Sequence, residues 1–334
     1  MTWRLIARRS FVMIKSVAII GAGVSGLTCA VVSAERGYRT AIFAKETGQQ
    51  TTSGAAAALW FPYDAEPADK VIAWGLETYN VLVDLSRDSG AGVSVIELRQ
   101  FSRTADVSVP DWASSLGARR LRRDELLPAF ASGFALNVPL MDTTLYLDYL
   151  AARLLKAGGE INAKVRFEKL EDVSREFDFV INCAGIGARQ LVQDVHLEPH
   201  RGQVAIIPKI DNLSCAIVSD DAPLTYAIPR TNDCVFGGTN EISDNLEVNP
   251  AATLTIVDEC TRVLNIEIPR VLAERVGLRP FRKSGVRLQR DRLRDGRTAI
   301  HNYGHGGSGF TLSWGCAEDV LDLAATSARL LGKS

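Results

Sequence analysis

Gly21-Ala22-Gly23-Val24-Ser25-Gly26 decides how this chain is read. The residues before it, Ser16-Val17-Ala18-Ile19-Ile20, have the pattern of a strand buried on both faces. Residues 27–35, rich in Ala and Val, continue as a helix that Gly37 ends, and residues 40–44 form a second apolar strand. In such a βαβ opening the first glycine permits the tight turn. The second lets the backbone approach a pyrophosphate, and the third lets helix pack closely on strand. The helix N-terminus then offers unpaired N–H groups and a positive dipole end to phosphate. Glu46 follows at about the 20-residue distance expected of an acid that binds a ribose hydroxyl. Lys45 beside it leaves a 2′-phosphate open. The turn alone does not separate FAD from NAD.

Residues 49–58 are small and polar, a loop closely approached by something, although the run Ala55 to Ala58 also allows a turn of helix. Residues 69–89 have helical periodicity with Ile72, Leu76, Tyr79 and Val83 on one face; residues 142–157 repeat it with Leu145, Tyr149, Leu150 and Leu154. Between them, residues 93–101 read as a strand. Residues 179–183 are a continuous apolar strand followed by Gly185 and Gly187, a return to the dinucleotide unit. Residues 202–208, 226–229 and 234–239 read as strands of a second sheet, and 254–264 as a helix. Strands at 286–290 and 299–303 and a closing helix at 311–331 complete the chain. The fold class expected is α/β: a Rossmann-type cofactor domain plus an α+β substrate-binding domain with a mainly antiparallel sheet. The cofactor domain takes residues 16–60, 142–195 and 286–334, and the substrate domain 61–141 and 196–285, with residues 1–15 an N-terminal extension. A cofactor domain interrupted in this way suits a large group reaching across two domains, FAD rather than NAD.

Composition narrows the function classes. The chain has 334 residues, 46% hydrophobic and 23% charged, and a formal net charge of -1. That balance argues for no nucleic-acid partner and no anionic membrane surface, and no apolar run is long enough to cross a bilayer. Six cysteines are scattered without a CxxC pair, and four histidines lack ligand spacing, so neither a metal site nor a disulfide scaffold is expected. Buried free thiols fit a reducing, cytoplasmic setting.

Several segments together carry a resemblance: residues 17–23 (VAIIGAG), 51–63 (TTSGAAAALWFPY), Gly202-Gln203, Tyr226-Ala227-Ile228-Pro229, Gly277-Leu278-Arg279-Pro280 with Val286-Arg287-Leu288, and residues 301–311 (HNYGHGGSGFT). On these the chain resembles the D-amino-acid oxidase family of flavoproteins over nearly all residues after 16. The resemblance implies FAD, a D-amino acid and O2 as reactants, and oxidative deamination. A hydride passes from the substrate Cα to flavin N5, the imino acid hydrolyses to a keto acid and ammonia, and O2 becomes hydrogen peroxide.

By the same resemblance Arg287 takes the substrate carboxylate, since a guanidinium can donate two parallel hydrogen bonds to it; the alternative is a surface arginine. Tyr226 donates its hydroxyl to that carboxylate, Tyr63 and Phe61 line the cavity, and the Gly307 carbonyl accepts from the amine. Trp60 is read as packing, and His305 as structural. FAD contacts carried over are Ala22, Gly23, Val24, Ser25, Lys45, Glu46, Thr51, Thr52, Ser53, Ala58, Leu59, Val165, Gly306, Gly307, Ser308, Gly309, Phe310 and Thr311, with Gly21 and Gly26 completing the turn. Where vertebrate members carry a lid tyrosine four residues before the Tyr226 position, this chain has Ala222 in a short segment, which suggests an open site. Ser308 replaces an aromatic residue and is expected to loosen flavin contacts. D-Aspartate oxidases of the family hold the second carboxylate with extra arginines, one before the lid and one after Gly-Gly-Thr. Here Ser219, Asp220 and Asp221 stand near the lid and Asn240 follows Gly237-Gly238-Thr239. Neutral, hydrophobic D-amino acids are therefore expected, with Arg230 the residue able to overturn that. The alternatives are D-aspartate oxidase, a glycine or sarcosine oxidase, and a flavoprotein dehydrogenase. Family habit suggests a homodimer.

Overall fold

A computed structural model describes residues 15–63, 65–105 and 108–331, with side chains to residue 326. Most of the extension read at residues 1–15 lies outside the described residues. The turn at Gly21 follows the central strand Ser16–Ile20 of a six-stranded sheet. Across that sheet the order is Arg287–Arg292, Thr298–Tyr303, Phe179–Asn182, Ser16–Ile20, Arg39–Ala44, Glu160–Ala163. Every neighbouring pair is parallel except the first. Period-two alternation makes two apolar faces. Val17, Ile19, Ile42, Ile181 and Ile300 pack under the helices Val24–Glu35, Thr143–Lys156 and Gly309–Leu331. Ala18, Ile20, Ala41, Val180 and Ala299 pack on the other side against Leu170, Val173, Phe177 and Leu191. Each fully buried Ile or Val contributes about 1.5–3 kcal/mol relative to exposure, so the central strands read as continuous apolar runs.

The second sheet has nine strands. Its order is Glu241–Ile242, Leu197–Pro208, Asp233–Gly237, Thr225–Pro229, Cys215–Ser219, Val93–Ser102, Ser132–Met141, Arg119–Arg120, with Ala273–Arg282 also paired to Leu197–Pro208. It is antiparallel but for the pair Val93–Ser102 and Cys215–Ser219. Alternation again separates two faces. Ala205, Ile207, Ile217, Ala227 and Phe236 pack on the helix Pro250–Leu264 through Ile256, Val257, Cys260 and Val263. Val204, Val218, Tyr226 and Ile228 face the other way, toward the first sheet's glycine turn.

Two helices differ from their sequence reading. Ala68–Leu85 buries Val71, Trp74, Gly75, Thr78 and Leu82, one position away from the Ile72–Val83 stripe. Its contact is made by small residues. A Cβ on Gly315 would lie 2.5 Å from the Trp74 carbonyl oxygen, and Thr78 Oγ1 accepts from the N–H groups of Trp314 (3.2 Å) and Gly315 (3.0 Å). This helix thus lies along Gly309–Leu331, although its residues fall in the segment read as substrate domain. In Thr143–Lys156, Leu150 and Leu154 are buried, but Tyr146 and Leu147 take the place expected of Leu145, which is 48% exposed.

The two sheets are tied by a buried carboxylate. Asp194 accepts from Arg282 Nε (2.8 Å) at the end of the second sheet's Ala273–Arg282 strand, and from the Tyr303 hydroxyl (2.7 Å) of the first sheet. His196 N–H donates to it as well (3.0 Å). Burial by itself would raise the Asp194 pKa, but these donors outweigh it and hold the carboxyl below its ordinary range. A depressed folded pKa contributes stability that is fully present above the unfolded value of about 3.9 and lost as pH falls through the folded one. Asp194→Ala should lower the unfolding free energy by about 3 kcal/mol at pH 7, with the deficit shrinking in acid. Urea titrations of the two proteins check this; a loss below about 1 kcal/mol would show the tie to be dispensable.

Candidate functional site

The glycine turn opens into a cavity of about 560 Å³ between the two sheets. Gly21 has φ +109°, and a Cβ there would lie 2.4 Å from the Cys183 carbonyl oxygen. A Cβ on Gly26 would lie 2.0 Å from the Gly21 carbonyl oxygen, so helix Val24–Glu35 sits directly on the turn. Gly23, its N-cap, supplies no side-chain cap, and the Val24 N–H is met by Ser53 Oγ at 2.9 Å. The first helical turn thus aims its remaining donors into the cavity. That backbone cradle fits a pyrophosphate. Lys45 and Glu46 stand on the rim, paired at 3.0 Å, with Val165 next to them in space.

Of the residues read as cofactor contacts, Gly21, Ala22, Gly23, Val24, Ser25, Lys45, Glu46, Thr51, Thr52, Ser53, Ala58, Leu59, Val165, Gly306, Gly307, Gly309 and Phe310 line the cavity. Gly26, Ser308 and Thr311 do not. Gly26 is the packing glycine. Ser308 and Thr311 hold the cavity wall instead. The Tyr63 N–H donates to Ser308 Oγ (2.7 Å) while the Ser308 hydroxyl donates to the Tyr63 carbonyl. The Phe61 N–H donates to Thr311 Oγ1 (3.1 Å) while the Thr311 hydroxyl donates to the Phe61 carbonyl (2.9 Å). Each hydroxyl does for one residue what a neighbouring strand would do. Ser308 therefore fixes the wall. The loop at 49–58 begins in the 3-10 turn Gly48–Gln50 and contains the helical turn Thr52–Ala55, capped by the Thr51 hydroxyl accepting from the Gly54 N–H.

The substrate end of the cavity is built on the second sheet. Tyr226, Phe61, Tyr63 and Gly307 all line it, and the Tyr63 ring packs against Gly307. Asn240 Nδ2 donates to the Tyr63 hydroxyl at 3.3 Å. Trp60 is fully buried with its Nε1 donating to the Gly75 carbonyl (2.9 Å), a packing residue. His305 is buried too, its Nε2 2.9 Å from Asn302 Oδ1. Burial lowers its pKa to about 4, so the ring is neutral at physiological pH.

Arg287 is not at the cavity. It stands on the edge strand Arg287–Arg292, where Nη1 donates to the Tyr303 hydroxyl (2.7 Å) and Nη2 pairs with Asp291 (2.7 Å), with Asp194 at 3.7 Å. Its donors already serve the tie between the sheets. Two arginines do line the cavity: Arg166, next to Val165 on the Lys45–Glu46 side, and Arg279, in the strand Ala273–Arg282. Arg279 Nη1 donates to the Thr239 carbonyl (2.9 Å), and no carboxylate of the described residues pairs with it. The guanidinium lies flat over Gly202, where a Cβ would come within 2.5 Å of its Cζ. Arg279 also lies beside the Tyr226 hydroxyl: burial raises the Tyr226 pKa and the guanidinium pulls it back. The pair presents a fixed planar cation and a protonated hydroxyl to the same space, a receptor for a carboxylate. The signal for Arg279 was present in Gly277-Leu278-Arg279-Pro280: it needed the pairing of that strand with the Gly202 strand.

Comparison with known proteins agrees with this geometry. A family model for FAD dependent oxidoreductases matches residues 16–323. D-Amino-acid oxidase of Rubrobacter xylanophilus is 38% identical over 314 residues, covering 92% of this chain and 95% of that protein. D-Aspartate oxidase of Homo sapiens is 32% identical over 333 residues, covering 94% and 96%. Among solved structures, glycine oxidase from Geobacillus kaustophilus superposes with a TM-score of 0.78 at 19% identity, over 93% of this chain and 94% of that one. The match of the family model along nearly the whole chain, on a fold whose helix N-terminus forms a phosphate cradle, means that the chain belongs to the FAD dependent oxidoreductase family and that FAD is its cofactor.

Proposed function

We propose that this protein is a D-amino-acid oxidase, converting a D-amino acid, O2 and water to a 2-oxo acid, ammonia and hydrogen peroxide. The observation that carries this reading is the Arg279–Tyr226 pair at the end of the cavity opposite the glycine turn. Arg279 binds the substrate carboxylate through parallel N–H donors, and Tyr226 donates a further hydrogen bond from a hydroxyl that burial keeps protonated. The Gly307 carbonyl accepts from the substrate amine, on a wall whose position Ser308 and Thr311 fix. These contacts orient the Cα–H bond toward the cofactor side of the cavity. FAD, when bound, accepts the hydride and passes the electrons to O2. Tyr63 and Phe61 shield the reacting centre from water. No side chain is required to remove the α-proton; His305 lines the cavity as a neutral ring engaged with Asn302.

D-Aspartate is disfavoured. Arg230, the residue able to reverse that, is 5% exposed, lies away from the cavity, and is bound by both oxygens of Asp233 (2.6 and 2.7 Å). The side-chain region is walled by Val218, Leu224, Ile228 and Leu246, and includes the acid Asp220. A cytoplasmic setting belongs to the same reading, supported by six free, buried cysteines. No helix among the described residues is long and apolar enough to cross a membrane. A homodimer, carried by the family resemblance, is part of the proposal and is sized by sedimentation.

A peroxide-coupled assay of the FAD-loaded protein tests the activity. D-Alanine, D-valine and D-norleucine should give peroxide and their L-enantiomers none, with D-aspartate far slower. Turnover of D-aspartate alone would overturn the neutral preference, and flavin reduction without peroxide in air would identify a dehydrogenase.

The carboxylate assignment separates two arginines. Arg279→Ala should lower kcat/KM for D-norleucine by about 30- to 100-fold, largely through KM, as expected for one lost charge-assisted pair. Arg287→Ala should leave KM within about twofold and lower thermal stability instead. The reverse pattern would return the carboxylate to Arg287.

A further inference from the structure

The two adjacent acids Asp220 and Asp221 have opposite fates. Asp221 Oδ2 accepts from the Ser102 hydroxyl (2.9 Å) and the Arg103 N–H (2.5 Å), which fastens the 219–224 segment to the Val93–Ser102 strand. Asp220 faces the cavity. Period-two alternation along Cys215–Ser219 puts it on the same face as Val218, which pairs in register with Tyr226.

Asp220 has one protein donor, Gln100 Nε2 at 3.0 Å, and no cation among the described residues pairs with it. Burial, opposed by the Gln100 hydrogen bond and reinforced by Asp221, raises its pKa. Gln100 is 9% exposed and its Oε1 has no hydrogen-bond partner. This corner of the wall therefore holds more acceptors than donors. Asp220 is solvent-exposed at the cavity wall, and a carboxylate there that no protein cation meets is open to a cation entering through the cavity.

We infer that Asp220 is a specificity-determining residue that receives the terminal ammonium of a long cationic D-amino acid such as D-lysine. The inference rests on the oxidase reading and on Arg279 as the carboxylate receptor, and it replaces the purely hydrophobic preference expected from sequence. Two residues of extended chain separate Val218, opposite Tyr226, from Asp220, about 6–7 Å. A four-carbon stem spans such a distance. Val218 and Leu224 give the stem an apolar path, and its charged head reaches the acid, the division that lysine side chains adopt between apolar and polar surroundings. Neutral side chains of the same length fit the path but leave Asp220 unpaired.

The test uses the FAD-loaded enzyme and its isosteric variant Asp220→Asn. D-Lysine and D-norleucine share a four-carbon side chain and differ only by the terminal ammonium in place of a hydrogen. The wild type should favour D-lysine in kcat/KM, and the D-lysine to D-norleucine ratio should fall about tenfold or more in Asp220→Asn, mainly through KM. Calorimetry with 6-aminohexanoate and hexanoate, which lack the α-amine and cannot be oxidised, should show the same loss of discrimination. A wild-type ratio below one, or a ratio unchanged by Asp220→Asn, overturns the inference. Peroxide from D-norleucine with no advantage for D-lysine sinks this inference alone. No peroxide from any D-amino acid sinks the oxidase reading, and the calorimetric ratio then still decides whether Asp220 holds the cation.

Discussion

The structure depends on a contact with no room in it: the place a Gly26 side chain would occupy is filled by the Gly21 carbonyl. Because helix Val24–Glu35 rests directly on the turn after the central strand, its N-terminus cannot point anywhere except into the space beyond the strand ends. The parallel sheet around that strand is buried on both faces and so is rigid. A phosphate cradle made of backbone donors needs that rigidity, since no side chain adjusts to correct it. The rest of the chain closes over the cradle.

Closure is achieved by polar groups in buried places. Ser308 and Thr311 replace a missing strand for Tyr63 and Phe61, and Asp194 joins the last strands of both sheets through Arg282 and Tyr303. Arg287 belongs to this second group. With its donors turned to Tyr303 and Asp291, it contributes to holding the floor of the site in place and does not meet substrate. The cavity that results has phosphate-binding backbone at one end and the Arg279–Tyr226 receptor at the other.

Much of this was legible before the structure. The glycine turn and the final 301–311 segment each carry a local pattern that chemistry constrains tightly, so the family and the cofactor followed from them. The choice between Arg279 and Arg287 did not. Both sit in the same recognisable stretch, eight residues apart. What separates them is strand pairing over long sequence distance: Arg279 pairs with His200 in the second sheet, its guanidinium over Gly202, whereas Arg287 begins the edge strand of the first. The Ala273–Arg282 strand carries charges and a proline and gives no clean alternation, so its role was hidden. The Ala68–Leu85 helix shows a related limit, because its tightest contact is made by Gly75, Thr78 and Gly315, which an apolar stripe does not register.

The account turns on which guanidinium receives the substrate carboxylate. A crystal structure of the FAD-loaded enzyme with D-norleucine bound in the absence of oxygen measures this directly. The account predicts the carboxylate within hydrogen-bonding distance of the Arg279 guanidinium and the Tyr226 hydroxyl, with the side chain running past Val218 toward Asp220. A carboxylate bound at Arg287, with Arg279 left on the Thr239 carbonyl alone, would contradict it.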